Sequence, residues 1–566
     1  MTVEAHDPPR APAAEPAALE RAQRLVGRAL KDQGVTSLFF MLGMGGPDSP
    51  AVTACLEQGI DAYYVRHEGA AAMMAHGYAR VSGEAGVCVT SLGPGTTNAI
   101  TGVANALLDA APLVLIGGGP SGTWLGREGY QEQDQMNVFR PVVKAAHRVE
   151  VPERIPEMLA LAFHQATSGR KGPVYVELPV DVMDTQVDPS NVFWPAPVGE
   201  HPKPALSELD LDRIADAVEN AERPVLLVGG GIVWARAETA LRELIERTGL
   251  PLVTTPQVRG VVPEDHELVL TAARNRASRE ADVVIVIGTR PNWINAHFRP
   301  PRFGRDARFI AINIEPADVG RVTPAEIGAV ADAKVAVEQL TARLASSIGG
   351  APRSAWAQAL IDKDAEVLAR PNPFATDSSN PIHPLRMCHE IKTRLPRDAV
   401  FIVDGHETLE FARRSIPSFS TGNYMTSGPN GCMGVGVPMA IGAGVADPAR
   451  PVVVLMGDGG FGWHGMEYDT AIRHGLPITG IVMNNAGFTA RPTGGETGRH
   501  LGYQRYDKVV EGLGGHGEYV TDAEGIGPAL DRAFEAGVPS LVNICVDQDA
   551  EASGGLLGAQ GIEGTW

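Results

Sequence analysis

The sequence predicts three consecutive open parallel-sheet α/β domains. Two observations carry that expectation. Short continuous apolar runs recur through the chain, each bounded by Gly or Pro and separated by helix-like stretches, as strands buried on both faces require. The 566 residues also suffice for about three to four cores.

Residues 1–17, with acidic residues and prolines and no apolar h-region, read as a disordered leader rather than a secretory signal. The first domain is expected over 18–190. "ALERAQRLVGRALKDQGV" places Leu19, Ala22, Leu25, Val26, Ala29 and Leu30 on one helix face and stops at Gly34. Strands follow at "SLFFML", "DAYYV", "GVCVTSL", "PLVLIGG" and "GPVYVELP". A proline-bearing linker leads to a second domain over 205–346, with strands "RPVLLVGGG", "LPLVTT", "ADVVIVIGT" and "ARFIAINIE". "ARPNPFATDSSNPIHP" reads as another linker, before a third domain over 380–548 and a tail over 549–566. Its strands are "AVFIVDG", "PVVVLMGDG", "ITGIVMNN" and "SLVNICVD".

Composition narrows the partners. A formal charge of −19 argues against a nucleic-acid backbone, while leaving room for a small anionic ligand held by a metal or by helix N-termini. No apolar stretch is long enough for a membrane span. The five cysteines are widely spaced and read as reduced thiols of a cytoplasmic protein.

The chemistry begins at "GDGGFGWHGMEYDTAIRHGLPITGIVMNN". Asp458 ends one parallel strand and Asn484 and Asn485 end the next, at the sheet edge where such folds bind ligands. "WHGMEYDTAIRHG" reads as the helix between them. Gly457, Gly459 and Gly460 allow an anion close to the backbone. A carboxylate and an amide oxygen converging there form a hard oxygen site, suited to Mg²⁺ holding a diphosphate. GDG alone also serves as a tight turn, and occurs in phosphatases and kinases. With 24 residues separating GDG from NN, and a strand–helix–strand between, the pair resembles the thiamine diphosphate (ThDP) signature.

That resemblance, to the acetolactate synthase-like ThDP enzymes, covers roughly residues 18–548 and implies pyrimidine, central and diphosphate domains. It implies Asp458, Asn485 and the backbone carbonyl of Gly487 as Mg²⁺ ligands, with Asn484 and the glycines at the cofactor. "RHEGAAAMMAHGYAR" resembles the segment whose glutamate, here Glu68, holds the aminopyrimidine in the tautomer that deprotonates the thiazolium. Helix-dipole preference alone also places acids at such positions. The presence of Glu68 argues against glyoxylate carboligase. "SGPNGCMGVGVPMAIGAG" resembles the segment whose apolar residue, here Met433, wedges the cofactor into a bent shape. "VDGHETLEFARR" resembles the turn over the diphosphate, with Gly405, His406 and Glu407 as contacts. "SLGPGTTN" resembles the glycine-rich turn beside the pyrimidine.

For the reaction, "GREGYQEQDQMNVFRPVVK" resembles the active-site glutamine loop, with Gln131 ahead of an "RPVVK" strand. "FGWHGMEYDTAIRHGLP" and "GYQRYDKVVEGLGGHGEYV" look closest to the 2-hydroxyacyl-CoA lyase branch. That branch cleaves a 2-hydroxyacyl-CoA to formyl-CoA and an aldehyde or ketone, reversibly. Glu496 follows the cofactor asparagines, and a carboxylate there resembles that branch's proton-shuttling glutamate; it equally suits a solvated surface. The acidic tail is an unlike clamp for CoA phosphates. The run Arg290, Arg299, Arg302, Arg305, Arg308 could serve CoA, a nucleotide (ADP or FAD) in the central domain, or solvent. "VGGGI" signals a nucleotide there only weakly. The family builds its site between subunits, which implies a homodimer or homotetramer. Two other readings stay open: an acetolactate synthase-like 2-ketoacid carboligase and a silent scaffold, the latter opposed by intact Glu68, Asp458 and Asn485. A phosphohydrolase using GDG would release phosphate without thiamine.

Overall fold

A computed structural model describes residues 19–41, 50–347, 354–488 and 498–550. The first domain is a parallel sheet of six strands: β1 (Ser37–Met41), β2 (Asp61–Tyr64), β3 (Gly86–Thr90), β4 (Leu113–Gly119), β5 (Ala145–Arg148) and β6 (Pro173–Pro179), in the order β2-β1-β3-β4-β6-β5. The second has five: β7 (Pro224–Val228), β8 (Leu252–Thr254), β9 (Val283–Ile287), β10 (Arg308–Asn313) and β11 (Ile327–Val330), in the order β8-β7-β9-β10-β11. The third has six: β12 (Val400–Asp404), β13 (Tyr424–Met425), β14 (Val452–Gly457), β15 (Ile478–Asn484), β16 (His516–Val520) and β17 (Ser540–Cys545), in the order β13-β12-β14-β15-β17-β16. Every pairing within these three sheets is parallel.

Each sheet starts one strand in from an edge, adds its second strand at that edge and its third on the other side. The order therefore reverses between β1 and β3, between β7 and β9, and between β12 and β14. In open α/β sheets the crevice at such a reversal, outside the strands' carboxyl ends, is where ligands bind.

Several elements differ from the sequence expectation. The helix expected from residue 18 starts only at Leu25, after a 3₁₀ turn, because Glu20–Arg21 pairs antiparallel with Gln186–Val187. Leu19 is consequently exposed rather than on the buried face. Strand β5 begins at Ala145; Arg140–Val142 of the expected "RPVVK" strand is a 3₁₀ turn. The helix expected at 463–475 begins at Asp458 itself and is broken by a 3₁₀ turn at Gly465–Glu467. The stretch between the second and third expected domains contains a helix, Ala355–Leu368, tied to the second sheet by Trp356 Nε1 donating to the Pro224 carbonyl at 3.2 Å.

Domains one and three share a core. Helix α1 (Glu68–Ser82) packs along α4 (Gly436–Ala446), and the shorter α2 (Ile100–Asp109) packs on α1; α3 is His406–Ser415. Small residues make the approach close. A Cβ on Gly77 would lie 2.5 Å from the Met439 carbonyl oxygen, and one on Gly442 would lie 2.0 Å from that of Met74. The five cysteines are free. Among the described residues no helix is long and apolar enough to cross a membrane.

Candidate active site

Parallel pairing of β14 with β15, Gly457 opposite Met483, brings the ends of the two strands side by side. Asp458 opens helix α5 (Asp458–His464), which is followed by the 3₁₀ turn and α6 (Tyr468–Arg473). Its carboxylate is buried. Oδ1 accepts from the Gly459 N–H at 2.8 Å, the Gly487 N–H faces the same group, and Oδ2 has no hydrogen-bond partner among the described residues. Burial pushes this carboxyl up to about 7. Asn485 is also buried. After it the chain turns through Ala486 (φ 64°), and Gly487 bridges to His500. An unpartnered carboxylate oxygen, an amide oxygen and a nearby carbonyl are the hard donors a divalent cation such as Mg²⁺ takes. Among the described residues no three His, Cys, Asp or Glu side chains gather into a metal cluster.

Two of the glycines are closely packed. A Cβ on Gly459 would meet the Phe488 ring at 2.6 Å, and one on Gly460 would sit 3.2 Å from the Asp404 carboxyl. Gly405 precedes α3 with φ 105°, and leaves His406 exposed and Glu407 half-buried at the helix start. Asp404 is buried and accepts from the Gly434 and Gly436 N–H groups at 3.3 and 2.9 Å. This ties the turn carrying Met433 to the end of β12. Met433 is 38% exposed, so it fills no core of its own chain. Asn484 differs from its neighbour. Its amide donates to Asn543 Oδ1 and the Gln504 carbonyl, both at 3.1 Å, and its Oδ1 accepts from the Ala486 N–H at 3.2 Å. It holds the turn that presents Asn485, and its side chain is spent there.

Glu68 is the first residue of α1, half-buried, with Asn98 Nδ2 donating to its Oε2 at 3.0 Å. The neighbouring turn, Ser91–Gly95, is crossed by the Gln131 loop. Gln131 has φ 54° and lies over Gly93, whose added Cβ would be 2.3 Å from the Gln131 carbonyl. Gln135 anchors that loop. Buried, it accepts from the Gly93 N–H and donates to the Gly118 carbonyl, Tyr175 Oη and Glu177 at 2.7–2.9 Å. Glu496 lies outside the described residues.

Two further features sit away from these turns. At the reversal point of the second sheet a cavity of about 710 Å³ is lined by Gly230, Gly288, Asn313 and Asp332, with Lys171 and Arg290 among its cations. Gly231 and Gly288 touch each other there, so part of the "VGGGI" glycine content serves chain packing.

The basic run is divided. Arg290 lines that cavity, Arg308 pairs with Glu326, and Arg302 turns toward the third domain. There Arg274, Arg302, Arg259 and Arg413 lie near one another, with two carboxylates among them. Glu264 is held by Arg259 through two 2.6 Å bonds, and Glu410 pairs with Arg413 at 2.8 Å. Arg274 makes no hydrogen bond or ion pair among the described residues. Burial and the positive charge of Arg413, Arg302 and Arg259 pull it down to about 9. Sequence reasoning missed this group, because Arg274 stands in "AARNRASRE" as an ordinary helix arginine.

Against known proteins, three models match. The "Thiamine pyrophosphate enzyme, N-terminal TPP binding domain" covers residues 20–138, the "central domain" 211–340 and the "C-terminal TPP binding domain" 406–544. The chain belongs to the thiamine pyrophosphate enzyme family. Its three sheets are the pyrimidine, central and diphosphate domains of that fold. It is 34% identical to the Mycobacterium tuberculosis "Acetolactate synthase large subunit IlvG" over 547 residues, 94% of this chain and 97% of that protein. It is 30% identical to the rice "2-hydroxyacyl-CoA lyase" over 571 residues, 96% and 98% of the two chains. To the Escherichia coli K12 "Oxalyl-CoA decarboxylase" it is 29% identical over 547 residues, 94% and 96%.

Proposed function

We propose that this family member is a ThDP- and Mg²⁺-dependent carbon–carbon lyase acting on 2-hydroxyacyl-CoA esters, giving formyl-CoA and an aldehyde or ketone, and running in either direction. ThDP, when bound, supplies the carbon nucleophile and electron sink that the cleavage needs. The protein's residues do the rest. Asp458, Asn485 and the Gly487 carbonyl would hold Mg²⁺, and the Gly405 turn with His406 and Glu407 would face the diphosphate. Met433 would support the bend, and Glu68 would hold a proton at the aminopyrimidine. Gln131 faces the substrate side, and Glu496 is the proposed base for the 2-hydroxyl. The central cavity suits a diphosphate nucleotide, ADP or FAD.

The observation that carries the CoA reading over a free 2-ketoacid is the arginine group at the seam of the second and third domains. Among the described residues Arg259 pairs with Glu264, Arg413 and Arg414 pair with Glu410, Arg302 donates to the Ile294 carbonyl, and Arg274 makes no hydrogen bond or ion pair. Such a surplus of planar donors is suited to phosphate. Its position fits a long thioester. Helix α3 starts at the Gly405 turn and ends beside Arg413, so its 10 residues set the two ends about 15 Å apart. A helix C-terminus favours cations by itself, which accounts for Arg413 and Arg414 but not for Arg274.

The test supplies purified protein, ThDP and Mg²⁺ with a 2-hydroxyacyl-CoA or with pyruvate, and identifies products by mass spectrometry. Formyl-CoA is expected from the first; acetolactate from the second, without formyl-CoA, would favour the acetolactate synthase-like reading. Arg274→Ala should raise KM for the CoA ester by about 10–100-fold, the worth of a charge-assisted hydrogen bond. It should leave KM for the matching pantetheine thioester, which lacks the nucleotide phosphates, within threefold.

A further inference from the structure

Glu467 sits in the 3₁₀ turn between α5 and α6, 1% exposed, in the third domain. Its partners are in the first. Both carboxylate oxygens accept from the Arg66 N–H, at 3.1 and 3.2 Å, and the His67 N–H adds to them. From α6, Thr470 Oγ1 donates to Oε2 at 2.6 Å. The two backbone donors are those immediately before Glu68, where β2 gives way to α1. Donors at that junction have no partner inside the helix. Two more bonds fasten the same segments. Arg473 donates to the Tyr64 carbonyl at 2.8 Å, and His464 Nδ1 meets the Gly434 carbonyl at 2.7 Å, one residue from Met433.

A buried carboxylate is an expensive way to join two domains that already share an apolar core. An apolar contact would glue them as well, but would not fix the direction of two N–H groups. We propose that Glu467 is a positioning residue for Glu68: it clamps the Arg66–His67 backbone from the opposite domain and so sets where the Glu68 carboxylate stands. This rests on the reading of Glu68 as the group that meets the aminopyrimidine. The residues that start at Asp458 thus reach the Met433 turn through His464 and the Glu68 turn through Glu467.

The experiment compares wild type, Glu467→Gln, Glu467→Ala, Thr470→Val and Glu68→Gln in two ways. Amide exchange of the peptide spanning residues 61–73 is followed in the protein without ThDP. Loss of the thiazolium C2 proton of bound ThDP is followed by quenched-flow deuterium exchange. Glu467→Ala should speed amide exchange at Arg66 and His67 and slow C2 exchange at least tenfold. Glu467→Gln, which keeps an acceptor oxygen and the volume, should recover most of both, and Thr470→Val should fall between. ThDP affinity, governed by the diphosphate end, should change less than threefold. If Glu68→Gln slows C2 exchange but Glu467→Ala does not, Glu467 is a structural link only and the proposal is overturned. If Glu68→Gln itself leaves C2 exchange unchanged, the role given to Glu68 fails, and the proposal with it. A Glu467→Ala chain that does not fold leaves the decision to Thr470→Val; wild-type amide and C2 exchange in that variant overturns the proposal.

Discussion

A buried carboxylate oxygen left without a hydrogen bond costs about 1–3 kcal/mol, and Asp458 Oδ2 is such an oxygen. Its neighbours are not short of donors: Asn484, one strand away, has every side-chain bond satisfied. Several buried side-chain atoms among the described residues lack a partner, and Asp458 Oδ2 is the one beside the Asn485 turn, where a cation would complete it. Asp458→Asn separates the two roles. Without cofactor the variant should melt at the same temperature as wild type or a few degrees higher, because a neutral amide is cheaper to bury. Added ThDP and Mg²⁺ should raise the wild-type melting temperature and leave the variant's unchanged, reflecting at least ~10-fold weaker binding. A variant that gains as much stability from the pair as wild type would remove Asp458 from the metal site.

Elements were unequally legible in the sequence, and burial explains which. Strands β4, β9, β12 and β14 are buried along nearly their whole length and stand out as continuous apolar runs. Strands β5, β11 and β16 lie at sheet edges, and their residues are partly exposed. His516–Val520 and Ala145–Arg148 consequently carry polar residues and leave no apolar run to read. Helix α4 shows the reverse case. It is apolar all round because it lies between its own sheet and α1, and its glycines are of two kinds. Gly442 touches the α1 backbone, whereas the nearest atom to a Cβ on Gly444 is 4.0 Å away. Gly442→Ala should destabilise by at least ~3 kcal/mol or prevent folding. Gly444→Ala should be neutral or stabilising by up to ~1 kcal/mol. Urea unfolding of the pair measures both, and equal midpoints would mean α1 and α4 do not approach as described.

At the scale of the whole molecule, the GDG-to-NN spacing was legible because a strand, a helix and a return strand are consecutive in the chain. Glu467 and Arg274 were not legible, since each takes its meaning from residues far away in sequence: Arg66 lies 401 positions from Glu467. The same limit applies to a partner subunit, whose contribution to a site is written in no local stretch. What the single chain does show is apolar surface beside the candidate site. Trp463 is 61% exposed, Met466 48% and Met433 38%, and Trp463 packs against the Gly434 turn next to Met433. Isolated exposed apolar residues need no explanation, but large ones gathered at a site mark a surface that another molecule covers. A second copy of the chain, as the family resemblance implies, is the expected occupant. Sedimentation velocity should then find a dimer or larger assembly for wild type, and Trp463→Arg should shift it toward monomer with its far-UV circular dichroism unchanged. ThDP-dependent turnover should fall in step with the dimer fraction, because each chain's Glu68 would serve the cofactor held by its partner. A Trp463→Arg protein that stays assembled and active would place the subunit contact elsewhere, and a monomeric but fully active one would confine the site to a single chain.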